Sequence, residues 1–154
     1  MRSQSLLIRE VAVHTPVTVG PDESIAQCAR RMHAEHVGCL VVVEESDGCQ
    51  FPVGMLTDRD IAIEVVAFGL DPDALTAGDV MSERPAVVEE DEDLLDALAR
   101  MREQGARRLP VTSPDGALVG VIALDNVLEA LAEQVDGMVG VLKAQHTREL
   151  HTRP

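Results

Sequence analysis

The chain repeats itself. Shifted by 69 residues it matches Pro16 with Pro85, Val19 with Val88, Asp22 with Asp91 and Glu23 with Glu92. The match runs on through Arg31 with Arg100, Met32 with Met101, Leu40 with Leu109 and Val42 with Val111. Past residues 45–50 the offset falls to 66, so that Val53 meets Val119 and Gly54 meets Gly120. The three extra residues of the first copy are expected in a loop, where insertion costs little. Two copies do not make a solenoid; they predict a pseudo-twofold pair. Units of about 55 residues rarely bury enough surface alone, so the two should pack on each other.

Each copy carries the same order of elements. A short extended entry (16–19; 85–88) precedes a helix, with Asp22 or Asp91 as its expected N-cap. Ile25, Cys28, Ala29 and Met32 share one helix face, as do Leu94, Leu95, Leu98 and Met101. A buried strand (39–43; 109–112) leads into turn-forming residues, Ser46-Asp47-Gly48 or Ser113-Pro114-Asp115-Gly116. A second strand (53–57; 118–123) then meets a helix opening near Asp58 or Asp125. The order β-α-β-β-α predicts an α+β fold, small sheets with helices on one side. The acidic run Glu89-Glu90-Asp91-Glu92-Asp93 falls at a helix start, where negative charge complements exposed N–H groups. Leu128, Leu131, Val135, Met138 and Leu142 alternate spacings of three and four. That stripe reads as a helix packed across a dimer or over its own module. Gly137 and Gly140 weaken it by about 1 kcal/mol each relative to Ala, and residues 146–154 are expected to fray.

Charge and composition exclude several functions. Lys plus Arg number 13 against 27 Asp plus Glu, a net charge of −14 in 154 residues. Nucleic acid as a partner needs a cation surplus, and base stacking needs aromatics beyond Phe51 and Phe68. Anionic membrane surfaces are disfavoured too, and no apolar stretch approaches the roughly 20 residues of a membrane span. Residues 1–13 lack the apolar length and cleavage site of a signal peptide. Cys28, Cys39 and Cys49 read as reduced thiols of a cytoplasmic protein. Cys28 and Cys39 belong to apolar patterns; Cys49 is expected in a polar loop. His33 and His36 flank Glu35 on the first helix, but no third ligand lies near in sequence, so no metal site is assigned. No Ser/His/Asp set and no Gly-rich loop with a Lys points to catalysis.

The most informative segment is Gly54-Met55-Leu56-Thr57-Asp58-Arg59-Asp60-Ile61, which runs from a strand into a helix. A hydroxyl at the strand end and a carboxylate in the first helical turn can face one crevice, beside free N–H donors. A carboxylate suits a ribose diol; a hydroxyl and N–H groups suit a phosphate. The other reading is that Asp58 and Asp60 simply open a helix.

The repeat together with this segment resembles the cystathionine-β-synthase-type (CBS) domain pair, or Bateman module. The likeness rests on Val37-Gly38-Cys39-Leu40-Val41-Val42-Val43 and residues 54–61 in copy one. Ala77-Gly78-Asp79-Val80-Met81-Ser82 looks like the family's link into copy two, and Arg107-Arg108-Leu109-Pro110-Val111 with residues 115–122 carries the second match. Residues 10–70 and 80–132 would then be the two repeats, 71–79 the linker and 133–154 a C-terminal helical extension, the repeats packed sheet to sheet.

The resemblance implies binding of an adenosine-containing ligand: AMP, ADP, ATP, NAD or S-adenosylmethionine, with no catalytic cofactor. Thr57 and Asp60 match the family's Gly-h-h-Thr/Ser-x-x-Asp motif, with Asp58 and Arg59 between them. They should face Met81, Ser82, Ala86 and Val87, with Arg107 or Arg108 on phosphate. A solvated strand start is the other reading of the two arginines. The second site departs from the motif, with Ala123 for the hydroxyl and Asn126 for the acid, beside Asp125. Its facing surface, Thr15, Thr18, Val37 and Gly38, brings no arginine, so one strong site per chain is expected. The family habit of pairing implies a homodimer and an effector protein still to be found. The rival reading is an interaction module that has lost its ligand; a small metal-dependent enzyme is a third.

Overall fold

In each half of the chain a two-stranded hairpin carries a helix across one face. The computed structural model describes residues 5–83 and 85–152. In the first half α1 (Ile8–Val11) and β1 (Thr18–Val19) precede α2 (Ile25–Glu35), β2 (Cys39–Ser46) and β3 (Cys49–Thr57). A single turn, α3 (Asp58–Asp60), runs straight into a wider π-helical stretch, Ile61–Val66. The second half has α4 (Ala77–Val80), β4 (Ser82–Glu83), β5 (Val88–Glu89), α5 (Leu94–Gln104), β6 (Arg108–Thr112), β7 (Leu118–Ala123) and the long α6 (Leu124–Thr152). The sheets run β1-β2-β3-β4 and β5-β6-β7. In each, a parallel pair adjoins an antiparallel hairpin. The α+β expectation is borne out, and the sheets face each other: Val41, Val43 and Met55 of one close a small core with Leu118 and Val121 of the other.

The two larger cores are not contiguous in sequence. Ile8 is fully buried among Val88, Leu94, Leu109 and Ile122, in the second half. Ala77 is fully buried among Ile25, Leu40, Leu56 and Val65, in the first. The backbone ties follow the same rule. Ile8 N donates to Glu92 O (3.0 Å) and Arg9 N to Glu90 O (2.9 Å). Sixty-nine residues on, Ala77 N donates to Glu23 O (2.8 Å) and Gly78 N to Pro21 O (2.8 Å). Each half therefore receives the segment that leads into the other. The exchange brings Val13 alongside β7 through paired bonds with Val121 (2.9 and 3.0 Å), as β4 lies alongside β3. That is why glycine stands at 54 and 120. A Cβ on Gly120 would lie 2.6 Å from the Val13 carbonyl oxygen, and one on Gly54 would collide with the Met81 side chain.

Several expectations are corrected. The N-caps are Ser24 and Asp93, two residues beyond Asp22 and Asp91. The intervening residues form a turn, with Glu23 N on Gly20 O and Glu92 N on Glu89 O. The three extra residues of copy one do not enlarge a loop. They lengthen the hairpin as strand, closed by the two-residue turn Asp47-Gly48 with φ of 51° and 77°, the type I′ geometry that Asp-Gly favours. Cys49 is accordingly the first residue of β3, though exposed. The tail is neither a separate helix nor frayed at 146: α6 runs unbroken from Leu124 to Thr152. It covers its own module only as far as Leu131, and residues 132–151 are all exposed.

The exchange makes one substitution costly and a similar one harmless. Gly120→Ala must push the Val13 backbone and is expected to destabilise by about 1–3 kcal/mol. Gly20→Ala, with nothing within 4 Å of its Cβ, should leave the urea midpoint in place. Equal midpoints for the two variants would contradict this packing.

Candidate functional site

The strand-to-helix junction after β3 is built by a reciprocal cap. Thr57 N donates to Asp60 Oδ2 (2.9 Å), and Asp60 N donates to Thr57 Oγ1 (3.1 Å). This is a capping box one turn long. It fixes both side chains and leaves the Thr57 hydroxyl proton and Asp60 Oδ1 without partners among the described residues. Asp58 turns the other way. Its N–H donates to Gly38 O (3.0 Å), and its carboxylate lies so close over Gly38 that a Cβ there would be 3.0 Å from Oδ2.

In the second half the same junction is Ala123 to Asn126. Ala123 N donates to Asn126 Oδ1 (3.1 Å), so the amide keeps half of the box and the missing hydroxyl loses the other half. The strand opposite carries the larger difference. Leu124 N donates to Arg107 O (2.8 Å) as Asp58 N does to Gly38 O. Arg107 and Arg108 thus stand where the first half has Gly38 and Cys39. Arg108 pairs with Ala123 across the β6–β7 ladder, as Cys39 pairs with Thr57 across β2–β3.

These pieces meet at a cleft of about 510 Å³ between the halves. Thr57, Asp58, Arg59 and Asp60 line it from one side, Ser82 and Ala86 from the exchanged segment, and Arg107 and Arg108 from β6 and the residue before it. Of the residues read from the sequence, Met81 and Val87 do not line it. Met81 packs into the first core over Gly54, and the Val87 carbonyl accepts from Arg100 Nη1. Met55, Glu83, Pro85 and the α5 end (Gln104, Gly105, Ala106) also line the cleft, beyond the site residues read from the sequence. Glu83 arrives with the exchanged segment, Met55 lies two residues before Thr57 on β3, and the α5 end leads directly into Arg107. Six charged groups line the cleft: Asp58, Asp60, Glu83, Arg59, Arg107 and Arg108. The Arg100–Glu92 ion pair (2.8 Å) lies elsewhere in the fold, and none of the six forms one within 4 Å among the described residues. The six are therefore not bound to one another.

A second, smaller cleft of about 280 Å³ lies on the other side of the pseudo-twofold axis. Thr15, Val37, Gly38, Ala123 and Asn126 line it. Thr18 does not; its carbonyl accepts from Arg31 Nη1 (2.6 Å). Asp125 lies instead in a shallow depression with Arg107 and Arg108. The facing surface itself carries no arginine, but Arg108, from the Ala123 side, lines both clefts. Cys39 lines the smaller cleft, its thiol pushed up to about 11 by burial, with Arg108 opposing and Asp60 and Asp58 adding to the rise. Burial likewise raises the Cys28 thiol to about 11, helped by Glu23 and opposed by Arg31. The acidic run holds no cation site: Asp93 caps α5 and Glu92 pairs with Arg100. Among the described residues no three His, Cys, Asp or Glu side chains group to hold a metal, His33 and His36 included. No helix there is long and apolar enough to cross a membrane.

The CBS domain model matches residues 8–67 and again residues 77–133. The chain belongs to the CBS-domain family. Hypoxic response protein 1 of Mycobacterium tuberculosis is 34% identical over 115 residues, 75% of this chain and 78% of that protein. Its crystal structure, with two coordinated zinc ions, superposes with a TM-score of 0.70 at 31% identity, covering 80% of this chain and 98% of that one. An uncharacterised protein of Methanopyrus kandleri is 35% identical over 126 residues, 82% of this chain but 63% of that protein, so it is the longer of the two. A CBS domain protein from Pyrobaculum aerophilum, complexed with AMP, superposes with a TM-score of 0.73 at 25% identity over 83% of this chain and 99% of that one.

The thiols test the burial around the clefts. At about pH 8 an aromatic disulfide reagent is expected to titrate only the exposed Cys49 rapidly. Cys28 and Cys39 should follow only in denaturant, because a raised pKa leaves little thiolate. Since folding raises both pKa values, their contribution to stability is intact below about pH 9 and lost as the pH climbs toward 11. Two fast thiols per native chain would contradict the burial of Cys39.

Proposed function

We propose that the larger cleft binds an adenosine-containing ligand (AMP, ADP, ATP, NAD or S-adenosylmethionine) and that the chain is a regulatory module without catalysis of its own. The observation that carries this reading is the set of unpaired charges of both signs around one cleft. A ligand joining a diol to phosphate needs both. Asp60 Oδ1 accepts from the ribose hydroxyls, a charge-assisted bond in a side chain already held by Thr57. The Thr57 hydroxyl donates to a phosphate oxygen. Arg59, Arg107 and Arg108 neutralise the phosphate, the guanidinium fork matching its geometry. Ser82 and the backbone at Ala86 meet the adenine edge. The AMP-bound state of the Pyrobaculum relative supports the ligand class. The three free cysteines fit a cytoplasmic setting.

The ligand would act by population shift. It spans the two halves, so it favours whichever relative arrangement closes on it. The shift cannot exceed its differential affinity for the two arrangements. An effector protein then reads the arrangement.

A thermal-shift panel of adenylates, NAD and S-adenosylmethionine tests the class. A ligand at 100 times its Kd adds about 2.7 kcal/mol of apparent stability, a rise of several degrees. No rise with any of them at millimolar concentration would favour the module that has lost its ligand. Asp60→Asn then separates cap from contact. Asn126 shows that an amide keeps the backbone bond, so the variant should melt near the wild type while binding roughly tenfold more weakly. Unchanged affinity would remove Asp60 from the site.

A further inference from the structure

The two halves differ at one backbone bond beside their clefts. In the first, Val41 N donates to Val17 O (3.0 Å), and β1 pairs with β2 at both Thr18↔Val41 and Val19↔Val42. The repeat sets Val17 against Ala86, Thr18 against Val87 and Val41 against Pro110. Proline has no N–H to give. The first pairing is accordingly missing from the second half, where β5 and β6 begin at Val88↔Val111. The Ala86 carbonyl is left with no donor among the described residues. Pro110 stands in β6, the central strand of its sheet, where proline is unusual because it costs a ladder bond. The next carbonyl along is held alike in both halves, Thr18 O by Arg31 and Val87 O by Arg100.

The acceptor that Pro110 leaves over belongs to the ligand cleft. The larger cleft opens where the entry segment parts from β6, with Pro85 and Ala86 on one side and Arg108 and Leu109 on the other. The smaller one opens at the matching place, between Pro16-Val17 and Gly38-Cys39, but there the bond from Val41 has already used the carbonyl. We propose that Pro110 sets the base specificity of the larger cleft: by withholding an N–H it keeps the Ala86 carbonyl open to accept from the exocyclic 6-amino group of a purine. A 6-oxo purine presents an acceptor at that position, oxygen against oxygen, and is rejected. The smaller cleft, its carbonyl spent, draws no such distinction. The inference rests on the nucleotide reading of the larger cleft and adds to it the residue that selects the base.

Pro110→Val gives the second half the residue that the first half carries at Val41, and both positions are buried, so the fold is expected to hold. Pro110→Ala, smaller and equally able to donate, should behave alike. Calorimetry compares AMP, ATP and NAD with their 6-oxo counterparts: inosine monophosphate, inosine triphosphate and deamino-NAD. The wild type should bind the 6-amino member of a pair at least tenfold more tightly than its counterpart. In both variants the amide introduced at position 110 should be protected from hydrogen exchange. The 6-amino member should then bind at least tenfold more weakly than to the wild type, and the preference should vanish. Equal affinity of the wild type for both members of each pair it binds, an unprotected amide at position 110 in a folded variant, or a preference kept by the variants would overturn the role of Pro110 and leave the cleft reading standing. Binding of none of the six by the wild type would instead remove the nucleotide reading, and this inference with it.

Discussion

The fold depends on a trade of backbone between its halves. The segment before each half is bound into the other, at bonds spaced one repeat apart: Ile8 to Glu92 and Ala77 to Glu23. An unpaired buried N–H is expensive, so neither helix start is complete until both halves are present. Those contacts join residues 84 and 54 positions apart in the sequence. Their loop-closure entropy must be met before they stabilise anything, which places the fold among those of high contact order. The cleft is a by-product of the same trade, because the strand after α4 forms one of its walls.

The candidate site shows how a structural device and a binding device occupy the same atoms. Thr-x-x-Asp is a capping pattern, and α4 uses an equivalent box at Thr76 and Asp79. What distinguishes Thr57 and Asp60 is their surroundings: arginines across a gap and a carboxylate oxygen left over. The second half reproduces the cap in part, through Asn126, but lacks the hydroxyl and the charge.

Fold class, repeat and sheet pairing were legible because they depend on periodicity, which survives in each copy. The hairpin was less so. Asp47-Gly48 was visible as a turn, but nothing local says that residues 43–46 and 49–52 continue as strand; that follows from pairing across the ladder. The N-caps were placed two residues early because Asp22 and Asp91 are good caps by type, whereas the turn before the helix leaves Ser24 and Asp93 to accept its first N–H groups. Thr57, Asp60, Arg107 and Arg108 were readable from motif and repeat. Glu83 and Gln104 were not: Glu83 reaches the cleft through a long-range exchange with no signature in neighbouring residues, and Gln104 through the way the end of α5 packs beside Arg107. Arg108's reach into the second cleft was missed for a related reason: its opposition to Ala123 is a property of strand register.

That position of Arg108 has a consequence for how the molecule handles information. A guanidinium can take up one orientation at a time, yet this one borders two cavities. An anion that draws it to one side withdraws positive potential from the other. The two cavities therefore share a single cation, and an anion held in the larger one would alter the electrostatic character of its neighbour.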